Sequence, residues 1–528
     1  MENKKTKIIS IGAVVALALT VITATYAYFN AQVGDPAVAD IKVNANTVDT
    51  FTFSNGSAIS FSINQDNFAS GKGNQTGSTY ASALLTANNK TNTATEHYYM
   101  YLNIENNTFT YSINTNTPEI IMTVKNSVGN EVTDISTLNH VIVTGANGTQ
   151  VSGYDITNKS GLITLFDNRE ITTTSSKEEK WNITITFVNF DENQNANAGK
   201  SMSAKVMIQK EVIPQVVSDV CSNGTNLATC ITTLANKSIP SATNIYHHDS
   251  SLSNGAGDNS YRYAGASDVV NNFVCFGSNE STCPTDNLYR IIGVFGNNVK
   301  LIKYDYGTTD ELGTDGDYSK TYKEWGIDST YKGTYGDGER IGVYYWNNAT
   351  QTNTWSESLL NKTNLNTNFI NNIGEEWANK IATTTWKVGG NTYSNIYSKT
   401  PSVVYQNEIV SPVTTNTTDN ATEYTAKIGL MYVSDYGFAA DPSAWALTMG
   451  SYNNTTATST NWMYMGLYEW TISRYADYSD DAFSVGSGGY VYSSDVGSSS
   501  AVRPSFSLES SITYVSGSGS ASDPMVIN

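Results

Sequence analysis

Few side chains in this sequence could carry out catalysis. The 528 residues include only four histidines and four cysteines. His97 and His140 lie far apart and have no Cys or His beside them, so we expect ordinary strand histidines. No Ser-His-Asp spacing, HExxH motif or phosphate-binding loop occurs, and no carboxylate pair stands in a recognisable setting. The sequence therefore predicts a protein that is not an enzyme and needs no cofactor.

Two short stretches invite a metal-binding interpretation. In His247-His248-Asp249, neighbouring side chains of an extended chain point to opposite sides, so at most one histidine would face a given ion. The acidic stretch DELGTDGD, residues 310–317, offers Asp315 and Asp317 to calcium but lacks the spacing and terminal Glu of an EF-hand. We predict no metal site, and the acidic stretch stays open between a calcium loop and a solvated turn.

The cysteines form two local pairs. Cys221 with Cys230 and Cys275 with Cys283 each enclose a short polar loop. Outside the cell such spacing favours local disulfides, whereas a zinc site would use tighter Cys-x-x-Cys knuckles. We expect two disulfides.

The stretch with the strongest binding character is residues 475–501. Tyr, Ala, Asp, Ser and Gly fill 23 of its 27 positions. Tyr offers a rigid amphipathic contact, and Ser and Gly adapt to a partner, as in antibody loops. The alternative is a Gly/Ser-rich surface loop without a partner.

We therefore predict that loops of this stretch form a ligand-binding surface. The expected contacts are Tyr475, Tyr478, Tyr490 and Tyr492, with polarity set by Asp477, Asp480, Asp481 and Asp495. Val485, Val491 and Val496 should point inward and hold the loops. Trp470 and Arg503 are expected supports: the indole packs beneath the loops, and the guanidinium pairs with a buried carboxylate or carbonyl.

The amino terminus predicts export. Lys4, Lys5 and Lys7 precede an apolar run over residues 8–24, which suits either a signal peptide cleaved after Ala27 or a retained membrane anchor. Residues 1–31 are assigned to this segment, and the rest should be extracellular at the cell surface. The net charge of −18 disfavours nucleic acid as a partner.

Three further regions follow the export segment. Residues 32–212 contain short runs of alternating apolar and polar residues separated by turn clusters, which predicts an all-β sandwich serving as a stalk. Residues 213–260 show no sustained periodicity and are expected to be a linker. Residues 261–528 predict an α+β domain with a hairpin formed by residues 288–295 and 299–306. Its expected helix, residues 364–382, carries an apolar stripe from Phe369 to Ile381.

Several segments carry a resemblance. The order LYRIIGVF, TTTWKVGG, KIGLMYVSDYGFAA, NWMYMGLYEWTIS and VRPSFSL resembles a family of Gram-positive surface-protein domains with a fold similar to C-type lectins and formylglycine-generating enzymes. The resemblance implies that the terminal PMVIN closes against the LYRIIGVF region and that the segment before VRPSFSL lies on the ligand face. The calcium-binding triplets of lectins and a late cysteine pair are missing, so neither calcium-bridged sugar binding nor oxidase activity carries over.

Two other resemblances concern the ends of the chain. The sequence TYAYFN resembles the processed start of camelysin-type biofilm fibre proteins. Residues 475–501 contain no Lys, Glu, Gln, Met or Trp, and in this they are similar to the variable segments of retroelement-diversified lectin-fold proteins.

The leading functional hypothesis is a multidomain surface protein in which a β stalk displays a lectin-fold domain for ligand binding or adhesion. Its partner would be an extracellular protein, peptide or glycan, with the membrane as a further partner if residues 1–31 are retained. The second hypothesis is a subunit of a matrix fibre or pilus-like assembly, in which exposed edge strands of the stalk accept a neighbour's strand. An enzyme is the third.

Overall fold

The computed structural model describes residues 49–68, 72–88, 92–322, 331–336, 338–413, 421–453 and 459–528. The chain divides into two compact units, Met1–Ile213 and Pro214–Asn528. Both are rich in β structure, as the sequence predicted. The expected export segment, residues 1–31, lies outside the described residues. Within the described ranges, no helix is long and apolar enough to cross a bilayer.

The first unit consists of antiparallel strands with short 3₁₀ turns at Gln65–Phe68, Ala146–Gly148 and Asn195–Asn197. The strands are β1 (Thr50–Asn55), β2 (Ile59–Ser62), β3 (Gln75–Thr86), β4 (Ala94–Asn107), β5 (Ile120–Asn126), β6 (His140–Thr144), β7 (Gln150–Asp155), β8 (Gly161–Thr173), β9 (Ser176–Phe187) and β10 (Ser201–Gln209). Six form a sheet in the order β1-β3-β9-β5-β7-β6, and four form a second sheet in the order β2-β10-β4-β8.

One hydrophobic core draws on both sheets of this unit. It includes Leu85 and Ile183 from the six-stranded sheet and Leu102 and Val206 from the four-stranded sheet. Strands β3, β7 and β8 have only a weak signal in the sequence because small or polar residues dilute their alternation. In β3, for example, the inward positions are occupied by Ala81 and Ala83 as well as Leu85.

A buried carboxylate joins the loops at one end of this unit. Glu119 is fully buried and accepts hydrogen bonds from the side-chain amides of Gln194 at 2.7 Å and Asn197 at 2.8 Å, and from the hydroxyl of Ser112 at 2.8 Å. Because these donors satisfy the charge, Glu119 serves as a structural anchor.

The second unit interleaves short helices with strands. Its helices are α1 (Leu227–Lys237), α2 (Pro240–Thr243), α3 (Thr309–Leu312), α4 (Ile370–Asn372), α5 (Glu375–Ala378), α6 (Tyr393–Tyr397), α7 (Pro401–Tyr405) and α8 (Val433–Phe438). Two π-helical segments cover Leu360–Phe369 and Gln406–Val410, and 3₁₀ turns cover Val217–Asp219, Thr285–Asn287, Pro442–Ala444 and Met449–Ser451.

The strands of this unit are β11 (Ile245–His248), β12 (Ser260–Tyr263), β13 (Phe273–Cys275), β14 (Leu288–Phe295), β15 (Asn298–Lys303), β16 (Tyr318–Thr321), β17 (Gly342–Tyr345), β18 (Thr384–Lys387), β19 (Glu423–Ala426), β20 (Ile428–Gly429), β21 (Glu469–Arg474), β22 (Asp481–Val485), β23 (Val491–Asp495), β24 (Ser499–Ala501), β25 (Ser505–Ser507), β26 (Tyr514–Ser516) and β27 (Val526–Ile527). One sheet has the order β11-β12-β14-β15-β25-β20, with β13 also paired to β14, and a second has the order β16-β17-β24-β21-β22-β23. Strands β18 and β19 form a two-stranded sheet, as do β26 and β27.

The prediction of a linker at residues 213–260 is wrong, because almost all of this region belongs to the second unit. Helix α1 buries Leu227, Ile231 and Leu234 in the main core, and β11 and β12 extend the first sheet of this unit. The apolar stripe of α1 is difficult to recognise in the sequence because it spans only two turns and is interrupted by Thr and Asn.

The predicted hairpin is confirmed as β14 and β15. The chain end returns beside it: Met525 bridges Val274 of β13 in parallel, and β13 pairs with β14. The predicted helix 364–382 is divided between a π-helical segment, α4 and α5. Of its stripe residues, Phe369, Trp377 and Ile381 are buried as expected, and Ile373 is half-buried.

Candidate functional site

About half of residues 475–501 form strands and the rest form the turns between them, whereas we predicted loops. They contain β22, β23 and β24, and β22 pairs in antiparallel fashion with β21 on one side and β23 on the other. Only the turns at residues 475–480, 486–490 and 496–498 interrupt the sheet. The strands form because tertiary burial outweighs the low strand propensity of Ser, Gly and Asp.

The inward positions explain how such a polar segment forms a sheet. Phe483 is fully buried, and so are the predicted pins Val485, Val491 and Val496. Val496 also donates its N–H to the carbonyl of Asp480 at 2.8 Å, while its own carbonyl accepts from the N–H of Trp346 at 3.0 Å. The inward valines predicted from the sequence are confirmed.

The turn at 475–480 is fixed from below by one buried amide. The side-chain nitrogen of Asn353, which is fully buried, donates to the carbonyls of Tyr475 at 2.9 Å, Tyr478 at 2.7 Å and Asp481 at 2.7 Å. Its backbone N–H donates to the carbonyl of Ser479 at 2.6 Å. A single side chain therefore sets the path of the whole turn.

Arg474 completes this support. Its Nε donates to the carbonyl of Gly389 at 2.7 Å, and its Nη1 lies 3.3 Å from Oδ1 of Asn353. Burial lowers the pKa of Arg474 to about 10, which leaves it charged at neutral pH. Gly390, with φ +91°, lets its segment approach the backbone of Arg474 closely, because a Cβ there would lie 2.5 Å from the carbonyl oxygen of Arg474.

The two predicted supports pack as the sequence suggested. Trp470 is fully buried and donates its indole N–H to the carbonyl of Tyr344 at 2.8 Å. Arg503 forms a bidentate pair with the buried carboxylate of Glu469, at 2.7 and 2.9 Å, and donates to the carbonyl of Met463 at 2.7 Å. Both side chains brace the sheet that carries the candidate site.

The predicted ligand contacts do not all come together. We call the paired strands β21, β22 and β23 the meander. Six of the predicted contacts lie at one end of it, where β22 begins and β23 ends: Tyr475, Asp477, Tyr478, Asp480, Asp481 and Asp495. Tyr490 and Tyr492 lie toward the opposite end, at the β22–β23 turn. Their rings are 5.6 Å apart, and Tyr468 contacts Tyr492 at 6.0 Å.

At the first end, three exposed tyrosine rings and the half-buried ring of Tyr475 form a continuous row. The ring centroids of Tyr397 and Tyr393 are 5.3 Å apart and nearly parallel, those of Tyr393 and Tyr475 are 6.2 Å apart, and those of Tyr475 and Tyr478 are 5.1 Å apart. We call Tyr397, Tyr393, Tyr475 and Tyr478 the tyrosine row. Tyr475 also touches the buried ring of Phe483 at 5.4 Å, which ties the row to the core.

The row combines exposure with a fixed position. The exposed fractions are 58% for Tyr478, 42% for Tyr397 and 39% for Tyr393. Asn391, just before α6, accepts a hydrogen bond from the N–H of Ala476 at 2.7 Å and donates its own N–H to the carbonyl of Arg474 at 3.0 Å. This bridge holds the helix that carries two rings against the turn that carries the other two.

Carboxylates border the row. Asp481 and Asp495 stand directly opposite each other on β22 and β23, and Asp480 and Asp495 are exposed. Burial raises the pKa of Asp481 above its ordinary value, and the negative charges of Asp480 and Asp495 raise it further, against a hydrogen bond from Ser493. The end of the sheet that bears the row is therefore acidic.

The turn at the other end is also anchored. The hydroxyl of Tyr436 donates to the carbonyl of Gly489 at 2.7 Å, and the hydroxyl of Tyr464 donates to the carbonyl of Ser487. Tyr490 is 38% exposed, whereas Tyr492 is half-buried. This second aromatic group is smaller and has fewer exposed rings than the row.

Sequence reasoning missed four residues of the site: Tyr393, Tyr397, Asn353 and Arg474. The spacing of Tyr393 and Tyr397 by four positions was the available signal, since such residues share one face of a helix. Asn353 and Arg474 gave no signal, because a hub of long-range hydrogen bonds depends on the fold.

The other residues considered as metal ligands in the sequence make contacts within the fold. His248 is buried, with its Nδ1 accepting from the N–H of Ala256 at 3.1 Å, while His247 stacks outward on Tyr261. The carboxylate of Asp317 is buried and accepts backbone N–H groups from Asn348 at 3.0 Å and Leu360 at 2.9 Å, whereas Asp315 is exposed and accepts from the side-chain amide of Asn368 at 2.6 Å.

Both expected disulfides are present, Cys221–Cys230 and Cys275–Cys283. Over the part of the chain that the structure describes, no three His, Cys, Asp or Glu side chains gather into a group that could hold a metal ion.

No protein-family model matches this sequence, and no curated protein is significantly similar to it.

Proposed function

We propose that this protein is an exported cell-surface binding protein and that the tyrosine row is its contact surface. The observation that carries the proposal is the row itself: exposed aromatic rings on a backbone fixed by Asn353 and Arg474. Rings of this kind give a partner large apolar contacts with little loss of conformational entropy, because the protein has already ordered them. The two disulfides are compatible with an extracellular location.

The proposal includes a lectin-like fold for the second unit and a β-sandwich for the first. Three features support the former: the chain end returns to β13, short helices flank two sheets, and the meander before Arg503 carries the exposed rings. For the first unit, two antiparallel sheets that share one core support a sandwich.

An adhesion assay tests the proposal. Purified full-length protein would be applied to immobilised extracellular matrix proteins, peptide libraries and glycan arrays, alongside the double variant Tyr393→Ala and Tyr478→Ala. We expect the variant to lose binding to the partner that wild type recognises, while Tyr80→Ala, at an exposed ring of the first unit, keeps it. Equal binding by all three proteins would remove the row from the binding surface.

Diversification by a retroelement is a narrower form of the same proposal. Because Phe483, Val485 and Val496 are buried, substitutions should concentrate at exposed positions such as 478, 480 and 490 rather than across the whole segment. Sequencing the gene in related strains measures this. Changes distributed equally over buried and exposed positions would contradict diversification but leave the binding surface in place.

A second candidate function is self-assembly through the first unit. Strand β6 is at the edge of its sheet, and Ile142 on it is 65% exposed. An apolar edge strand can pair with a strand from another copy. Electron microscopy of concentrated full-length protein should then show filaments, and a strictly monomeric particle would count against assembly.

A further inference from the structure

We propose that the partner segment on the tyrosine row is an extended peptide rich in Lys and Arg. This inference rests on the proposed function, since it assigns a ligand class to that same surface. The rings of the row would contact the peptide side chains, and the neighbouring carboxylates of Asp480, Asp481 and Asp495 would pair with the cations.

The spacing of the rings suits an extended chain. Neighbouring rings are 5.1 to 6.2 Å apart, slightly less than the ~6.6 Å between same-face side chains of an extended peptide. Successive side chains on one side of the peptide can therefore each meet a ring. Tyrosine rings attract the ammonium of Lys and the guanidinium of Arg over their faces.

The charge of the surface favours a cation. No Lys or Arg occurs between residues 475 and 502, nor in the helix that carries Tyr393 and Tyr397. Arg474, next to the turn, is buried and engaged with Gly389 and Asn353. Lys399 is exposed two residues after that helix, so the partner's cations are expected at the acidic end of the meander rather than beside Tyr397.

The pair Asp481 and Asp495 adds a second electrostatic reason. Like charges directly opposite each other on neighbouring strands destabilise a sheet, and these two carboxylates face each other in register. A cationic side chain placed between them relieves the repulsion, so part of the binding free energy comes from strain already present in the unbound protein.

A neutral glycan is the main rival. Its sugar rings could stack on tyrosines, but it would leave the repulsion between Asp481 and Asp495 in place. An anionic polymer would increase that repulsion, on a chain whose net charge is already −18. Charge complementarity thus favours the basic peptide over both.

The test compares matched probes on full-length protein. The probes are a short peptide alternating Lys and Ser, the same peptide with Gln or Glu for Lys, and a neutral chito-oligosaccharide. Biolayer interferometry would measure each at low and high salt. We expect the Lys peptide to bind at least about tenfold more tightly than the Gln peptide at low salt, with most of that preference screened away near 1 M salt.

Two sets of charge variants show where the preference arises. The site set is Asp480→Asn, Asp481→Asn and Asp495→Asn. The control set, Asp66→Asn, Glu105→Gln and Glu178→Gln, removes the same number of exposed charges from the first unit. The site set should abolish the preference for Lys over Gln, and the control set should preserve it.

The outcomes separate this inference from the proposed function. Tight, salt-independent binding of the Gln peptide or the oligosaccharide that is lost in the Tyr393→Ala, Tyr478→Ala variant would overturn the basic peptide and leave the row as the contact surface. A Lys preference retained by the site set would assign the attraction to the overall charge, and binding of no probe would also overturn the inference. A partner that binds the Tyr393→Ala, Tyr478→Ala variant with the same affinity as wild type would overturn the proposed function as well.

Discussion

Asp481 illustrates how a single residue of the site reduces the stability of the fold that carries it. Because its pKa is raised in the folded protein, the native state holds the proton more tightly than the unfolded chain does, and the ionised group destabilises the native state at neutral pH. Stability from this residue is therefore gained as pH falls toward its pKa. Such opposition between function and stability is common where charges await a ligand.

Replacing Asp481 by Asn should consequently stabilise the unbound protein. The variant keeps the size and polarity of the side chain but removes the repulsion with Asp480 and Asp495. We expect the free energy of unfolding of the second unit to rise by about 0.5 kcal/mol at pH 7, a modest value because solvent screens a half-exposed carboxylate. Urea unfolding followed by tryptophan fluorescence measures it. Asp66→Asn is the control, and a destabilised Asp481→Asn protein would contradict the electrostatic reasoning.

Glu408 gives the second unit a pH dependence of the same sign. This buried carboxyl accepts N–H groups from Val433 and Ser434, each at 3.1 Å, and a hydroxyl from Ser473. Burial nevertheless raises its pKa to about 7. The folded state therefore binds a proton that the unfolded chain releases near pH 4.5, and stability should fall as pH rises between about 4.5 and 7.

We expect this loss to be on the order of 3 kcal/mol, with no further contribution from Glu408 above about pH 7. Unfolding of wild type and Glu408→Gln at a series of pH values isolates the contribution, since the difference between the two proteins should change only within that window. A difference that stays constant from pH 4.5 to 8 would show that Glu408 has an ordinary pKa.

At the scale of elements, the turn at 475–480 depends on a segment more than a hundred residues away in sequence. Asn353 donates to three of its carbonyls, and losing these bonds leaves partly buried acceptors without partners. We expect Asn353→Ala to destabilise the second unit by roughly 2 kcal/mol and to speed amide hydrogen exchange at residues 475–481. Asn371→Ala, at an exposed position, is the matched control. Unchanged exchange in the turn would mean that Arg474 and Val496 hold it without Asn353.

The elements also show how far the sequence could lead. The hairpin β14–β15, the inward valines and the supporting roles of Trp470 and Arg503 were predictable, because each depends on local alternation or on the chemistry of one side chain. Strand β22 and helix α1 were not, since Ser, Asn and Thr conceal their buried faces until tertiary contacts are known. The tyrosine row was the least predictable feature, because it joins a helix to a turn that lies about eighty residues away in the sequence.

At the scale of the whole molecule, the boundary between the units decides which fragments fold. Residues 214–260 supply α1 and β11 to the core and sheet of the second unit. A fragment of residues 214–528 should therefore unfold cooperatively, whereas 261–528 should remain unfolded or aggregate. Circular dichroism and thermal melting of both fragments measure this. A cooperative melt of the shorter fragment at the same temperature would restore the region as a linker.

The central claim is that a partner binds the tyrosine row rather than the rest of the acidic, tyrosine-rich surface. The most direct measurement is the dissociation constant for the partner identified in the adhesion assay, taken on full-length protein with three variants. These are Tyr393→Ala with Tyr478→Ala in the row, Tyr490→Ala at the opposite turn, and Tyr80→Ala in the first unit. We predict that the row variant binds about 30-fold or more weakly, as expected for buried aromatic contacts, and that the other two bind within about threefold of wild type, below the ~1 kcal/mol that marks a significant contact. A row variant that binds as tightly as wild type while Tyr490→Ala loses affinity would contradict the claim and move the site to the other end of the meander.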